Sequence, residues 1–184
     1  MPKPFDVATT DWTQQLGAWH DVYVLVGTSA ATLMGLTFVV VTLSPRDVAE
    51  SLTTGVKSFT TPIMAFFASA VLVSIVMLAP WLTSHPPGAA VGILGLIGLF
   101  YMLSTGAYGQ WRESKLGFDD LIWYIVLPFI AYIALIPIAA GMWAGASWAL
   151  YGIASVVVLL LIIGIRNAWD VVLFMASQTR EKDE

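Results

Sequence analysis

The chain has no cysteine, which excludes disulfides, thiolate chemistry and cysteine-based metal sites and leaves the redox compartment open. Charge is also scarce: Asp, Glu, Lys and Arg make up 11% of the 184 residues, against about 25% in an average soluble domain. The eight Lys and Arg form no basic cluster and do not interleave with aromatics, so no nucleic-acid partner is expected. There is no His-Glu-x-x-His, Gly-x-Ser-x-Gly or phosphate-binding loop, and no pair of aspartates inside an apolar run. No catalytic constellation can be assembled from this inventory, so the expectation is a non-enzyme with no cofactor and no bound metal. The first apolar run comes late, is long enough to span a bilayer, and lacks a basic flank and an Ala-x-Ala-like site. It is therefore read as a span and not as a cleaved signal.

What the chain has instead is apolar surface, at 58% of its residues. One soluble core of this size cannot hide that much, so lipid must solvate part of it. Charge is absent from Val22–Leu43, Phe59–Ser84, Gly88–Trp111, Leu121–Ala144 and Ser147–Ile165. Each holds about 20 residues, enough for an α-helix to cross the hydrocarbon core. The runs are continuously apolar, unlike the alternating segments of a membrane β-barrel. The expected fold is all-α, a polytopic transmembrane bundle of five spans at about 22–43, 59–84, 88–111, 121–144 and 147–170. These lie in a membrane domain of residues 21–177, between an N-terminal segment (1–20) and a charged tail (178–184). Local signals suggest the boundaries. Thr61-Pro62 resembles a capped helix start, Asp119 and Asp120 suit the N-terminus of the fourth span, and Ser84-His85-Pro86-Pro87-Gly88 reads as a tight turn.

Orientation follows from positive charge. Arg46, Lys57, Arg112, Lys115, Arg166, Arg180 and Lys182 fall on one side, and only Lys3 on the other. The positive-inside rule makes the first side cytoplasmic, with the N-terminus outside and the C-terminus inside. Trp19, Tyr23, Trp81, Trp143 and Trp148 are placed as outer interfacial anchors, and Trp111, Trp123, Tyr124 and Trp169 as inner ones. Two short segments do not span. Asp11–Trp19 carries Trp12, Leu16 and Trp19 at amphipathic spacing, and Ser44-Pro45-Arg46-Asp47 predicts an inner-surface helical turn or two before Gly55.

Within the spans, Gly27, Ala31 and Gly35 repeat every four residues, forming a small-residue ridge that permits close helix approach. Thr28 and Thr32 stand beside the ridge, with Asp21 further out on their face. Tyr101, Ser104, Thr105 and Tyr108 form a polar stripe on the inner half of the third span. Two uses fit these groups: lining a water-filled path, or ordinary hydrogen bonding between helices at ~0.6 kcal/mol each, which is the commoner role. Pro80, Pro128 and Pro137 mark places where spans can kink. Arg166 and Asp170 lie one turn apart, close enough to pair at the inner interface, and Asn167 between them adds a polar group facing a neighbouring helix. Snorkelling explains Arg166 more simply than a gate does. His20 and His85, with Asp21, make a candidate outer-face polar cluster, although such groups are more often solvated loop residues. No ionisable residue occupies the middle of a span, which argues against a proton-driven transporter.

The segment Trp19-His20-Asp21-Val22-Tyr23, followed by Gly27-Thr28-Ser29-Ala30-Ala31-Thr32-Leu33-Met34-Gly35-Leu36-Thr37-Phe38-Val39, resembles the first span of a group of small bacterial membrane proteins. Some members carry the label "modulator of FtsH protease". The Arg166-Asn167-Ala168-Trp169-Asp170 run is similar in character, and the likeness covers about a quarter of the chain. It implies a multi-pass protein of the bacterial plasma (inner) membrane and supplies no activity or catalytic residue. The expected partners are the lipid bilayer, further copies of the chain in a homo-oligomer, and a membrane-protein partner. The functional expectation is a self-associating protein, with a channel or passive pore as one use. The alternative is a non-catalytic accessory or regulatory subunit of another membrane complex.

Overall fold

The computed structural model describes residues 12–43, 46–106 and 121–181; side chains at 41, 43, 46–61, 105–106 and 174–181 are outside that description. Every regular element among the described residues is helical: α1 Trp12–Ala18, α2 His20–Leu43, α3 Arg46–Leu78, α4 His85–Tyr101, α5 Leu127–Trp143 and α6 Trp148–Glu181. Two π-helical turns, Met102–Gly106 and Ile122–Val126, continue α4 and precede α5. Four helical stretches are long and apolar enough to cross a membrane: His20–Val40, His85–Ser104, Ile122–Trp143 and Trp148–Leu173. A fifth, Pro62–Leu78, is shorter at 17 residues and rises about 25 Å, just under a typical hydrocarbon thickness. The molecule is thus an all-helical bundle with four to five membrane-length apolar helices.

Several boundaries differ from the sequence expectation. α3 starts at Arg46 and runs through Gly55 and Pro62 without a break, so Thr61-Pro62 does not begin a helix and no separate inner-surface turn ends before Gly55. Pro62 lacks one backbone donor, and the apolar turns beyond it bury enough side chain to carry the helix past the gap. The same helix stops at Leu78 instead of reaching Ser84. The connection is Ala79–Ser84, and His85-Pro86-Pro87 forms the first turn of α4, where the missing proline donors cost nothing. α6 continues to Glu181, so most of the charged tail extends the last helix. Residues 44–45 and 107–120, including Asp119, Asp120, Trp111, Arg112 and Lys115, lie outside the described residues.

α3, α6, α5 and α4 pack in a four-membered group, and α2 lies in the groove between α3 and α6. α6 is the most buried of the four long apolar stretches and α2 the least. The core is built from Phe66, Phe67, Ala70 and Val73 of α3, Leu135 and Ile138 of α5, and Ile153, Val157, Leu160 and Ile163 of α6. Glycines set the closest approaches. A Cβ at Gly95 of α4 would lie 2.9 Å from the Leu135 Cβ, and one at Gly88 would lie 3.3 Å from the Ala139 carbonyl. Gly88, Gly92, Gly95 and Gly98 form one face at near-heptad spacing, so α4 meets α5 almost backbone to backbone. Gly145, with φ of 74°, makes the turn between α5 and α6 that a side chain would resist.

α1 tucks Leu16 against the bundle, with Trp12 and Trp19 packed partly buried beside it, as an amphipathic surface helix would. Trp19 meets the Tyr151 ring edge-on at 4.7 Å, and the buried Tyr23 hydroxyl donates to the Leu150 carbonyl at 3.4 Å. These contacts fix α2 to α6 at the end of the bundle that carries α1, residues 79–84 and the 144–147 turn. The opposite end carries both π-turns, Arg166 and Asp170.

Candidate functional site

Buried polar groups occur toward both ends of this apolar protein, Ser74 of α3 near the end that carries α1 and Asn167 near the π-turn end, and the local sequence explains part of the second arrangement. Pro128 has no N–H for the carbonyl four residues back, so the ordinary helical ladder cannot pass through it. Directly before it, the chain adopts the wider π register, with the Leu127 N–H bonded to the Ile122 carbonyl. π-turns are uncommon and concentrate at functional sites. This one holds the largely buried Tyr124, whose hydroxyl donates to Asp170 Oδ2 at 3.4 Å. Asp170 also pairs with Arg166 one turn back on α6, and both side chains are part-exposed. The ion pair expected from the spacing is therefore present, with Tyr124 as a third member.

Asn167 is fully buried, and among the described residues neither its Oδ1 nor its Nδ2 has a hydrogen-bond partner. Its direction follows from two glycine contacts on α6: Gly164 faces Phe67 of α3, and Gly152 faces Ile138 of α5. At 3.6 residues per turn, Asn167 lies about 60° from each direction, between α3 and α5 and toward the axis of the four-helix group. Further along the bundle, the Ser69 hydroxyl donates to the Ala65 carbonyl at 2.8 Å, so its 2.9 Å contact with the Tyr132 hydroxyl has Tyr132 as donor. The Tyr132 ring lies over Gly98, where any Cβ would collide with it. Tyr101 packs partly buried against the same core. The constellation offers hydrogen bonds and one ion pair. It holds no nucleophile set against a base.

The other candidates are dispersed. Gly27 is in close contact with Ser74 of α3, at 2.9 Å from a built Cβ, whereas Gly35 has nothing within 4 Å. Ala31 and Gly35 instead line an open apolar groove of about 560 Å³, with Met34 and Phe38 of α2 and Met64, Ala68, Val71 and Leu72 of α3. The ridge thus packs at one end and is bare over the rest. Thr28 and Thr32 are exposed, each about 160° round α2 from the buried Ala30. The Thr32 hydroxyl donates to the Thr28 carbonyl at 2.8 Å. Ser104 is exposed and donates to the Tyr101 carbonyl at 3.1 Å. The side chain of Thr105 and all of Tyr108 fall outside the described residues.

At the opposite end, His85 stacks edge-on against Trp143 at 4.9 Å, and His20 lines a groove with Leu16, Met77 and Trp81. Asp21 is exposed at the start of α2. Among the described residues no three His, Asp or Glu are gathered to hold a metal ion. Sequence reasoning missed the glycine face of α4, although its 4-3-3 spacing was visible, and placed close packing on α2 instead.

Fold and site together define a class: a small all-helical protein with four to five apolar helices fit for a bilayer and a polar cluster near one end. No family model, curated protein or solved structure matches the chain.

Proposed function

We propose that the chain is a five-span protein of a bacterial plasma membrane, N-terminus outside and C-terminus in the cytoplasm, that self-associates through the outward face of α2. The orientation rests on the Lys and Arg distribution, and the compartment on the resemblance of Trp19–Val39 to small bacterial membrane proteins. One observation carries self-association. α4 turns Ile93, Leu96, Ile97 and Phe100 outward and α5 turns out Ile130 and Ile133, as suits lipid. α2 also turns out Leu25, Leu36 and Phe38, but between them it exposes a run of small residues, Thr28, Ala31, Thr32 and Gly35. In a bilayer, where burying apolar surface gives helices no reason to associate, such small residues favour close helix contact.

A passive pore is one use of the assembly. Phe66, Phe67, Leu135, Ile153 and Leu160 fill the centre of the single chain, so a path would run between copies, with Thr28 and Thr32 facing it. Closed cyclic symmetry is the natural way to enclose one. Because the chain lacks cysteine, Thr32→Cys introduces a unique thiol. Treated in native membranes with a short bifunctional maleimide, this variant is expected to form linked oligomers, and Ile97→Cys on the lipid face of α4 is not. Flux through liposomes holding the wild-type protein then tests the pore. An adduct of the Thr32→Cys variant with one stoichiometric foreign protein, and none with itself, would transfer the case to the accessory-subunit reading.

A further inference from the structure

We infer that the π-turn end of the bundle contains a buried water pocket, with Asn167 as its inner hydrogen-bonding wall and the Arg166–Asp170–Tyr124 cluster as its lid. The pocket is independent of self-association through α2, which lies on another face. An asparagine amide carries two donors and an acceptor with two lone pairs, and Asn167 has all of them removed from solvent and matched to no group among the described residues. Exchanging its oxygen and nitrogen brings no relief, because neither atom has a partner among the described residues. Buried polar groups in native proteins are almost always satisfied, and where protein does not satisfy them ordered water does. The requirement is stricter in hydrocarbon, which supplies no competing donor or acceptor.

Position supports the same conclusion. Asn167 points between α3 and α5, and the element continuing α5 beyond Leu127 is the π-turn Ile122–Val126, which packs against α6. π-turns of this kind are rare and concentrate at functional sites. One residue before Asn167 and three after it, Arg166 and Asp170 form a part-exposed ion pair, and Tyr124 ties Asp170 to the π-turn. Cutting the Tyr124–Asp170 bond releases α6 from the π-turn and opens the route from solvent to the amide. A neutral amide matches water in offering both donor and acceptor, and it carries no charge to select an ion.

Asn167 is the only asparagine in the chain, so protein labelled with nitrogen-15 asparagine gives a single side-chain amide signal. In lipid bilayers, solid-state spectra edited for magnetisation arriving from water should show this signal at short mixing times. Tyr124→Phe should make its exchange for deuterium several-fold faster, and Asp170→Ala, which adds no second asparagine, should do the same if the first variant does not fold. A side-chain amide that receives nothing from water, while the backbone amide of Asn167 stays helical, means a dry site and overturns the pocket. Water contact with unchanged exchange in both variants overturns the lid.

Discussion

At the scale of single residues, the glycines divide into those whose bareness is used inside the bundle and those whose bareness is left open. Gly98 belongs to the first kind, because the Tyr132 ring occupies the space of its missing side chain and is tied by its hydroxyl to Ser69. Gly98→Ala must displace a ring that has little freedom to move. Overpacking of this sort costs about 1–3 kcal/mol, which SDS or thermal unfolding of the purified protein should register as a clear loss. Gly35 belongs to the second kind, with nothing within 4 Å of a built Cβ. Gly35→Ala should leave the single chain as stable as before, or more stable by up to ~1 kcal/mol through helix propensity. If α2 is the docking face, the same change lowers the fraction of linked oligomer. Equal loss of fold stability in both variants would show that the two glycines are not separated in this way.

Spacing showed that Gly27, Ala31 and Gly35 share a face of α2, but spacing cannot say which helix, if any, meets that face. Only Gly27 found a partner within the chain, in Ser74. The glycines of α4 carried the same kind of signal and met α5 along their length. The difference lies in which helices become neighbours, a property of the whole bundle that no single span contains. Asn167 shows a similar limit. The sequence places it between two charged residues and facing a neighbouring helix, but whether it meets a partner there depends on α3 and a π-turn more than thirty residues away in sequence.

At the scale of elements, charge-free length identified the helices because hydrocarbon demands that every backbone amide be satisfied within its own segment. Boundaries were less legible because proline gives the same local signal in two roles. Pro86 and Pro87 stand in the first turn of α4, where missing donors are harmless, and Pro62 stands inside α3, where one costs a hydrogen bond. Thr61-Pro62 could be read either way until the helical turns before it were seen. If α3 only tolerates Pro62, Pro62→Ala restores a donor to the carbonyl at position 58 and stabilises the protein, by at most the ~3 kcal/mol an interior proline costs. Denaturation of the variant measures this directly. A destabilised variant would mean that the geometry imposed by Pro62 is required by the packing of Ile63 and Phe66, the first fully buried residues after it.

At the scale of the whole molecule, the two ends of the bundle differ in chemistry. One carries α1, Trp19, Trp81, Trp143 and the short 79–84 and 144–147 connections, all without Lys or Arg. The other carries the π-turns and the Arg166–Asp170 pair, with Arg46 and Lys57 on the helical turns of α3 leading into it. Positive residues resist transfer across a bacterial membrane, so the proposed topology puts the second end in the cytoplasm. The absence of native cysteine makes this testable without background labelling. Thr83 is exposed in the connection between α3 and α4, and Lys182 follows the last helix. In intact cells an impermeant maleimide should label Thr83→Cys and spare Lys182→Cys, and opening the cells should make both reactive. The same arrangement puts the Arg166–Asp170 lid of the inferred water pocket against the cytoplasm and the Thr28–Thr32 face of α2 in the outer half of the bilayer. Labelling of Lys182→Cys alone in intact cells would invert the molecule and send the pocket to the external face. Labelling of both positions would leave an even number of crossings between them, so one of α4, α5 and α6 would fail to span.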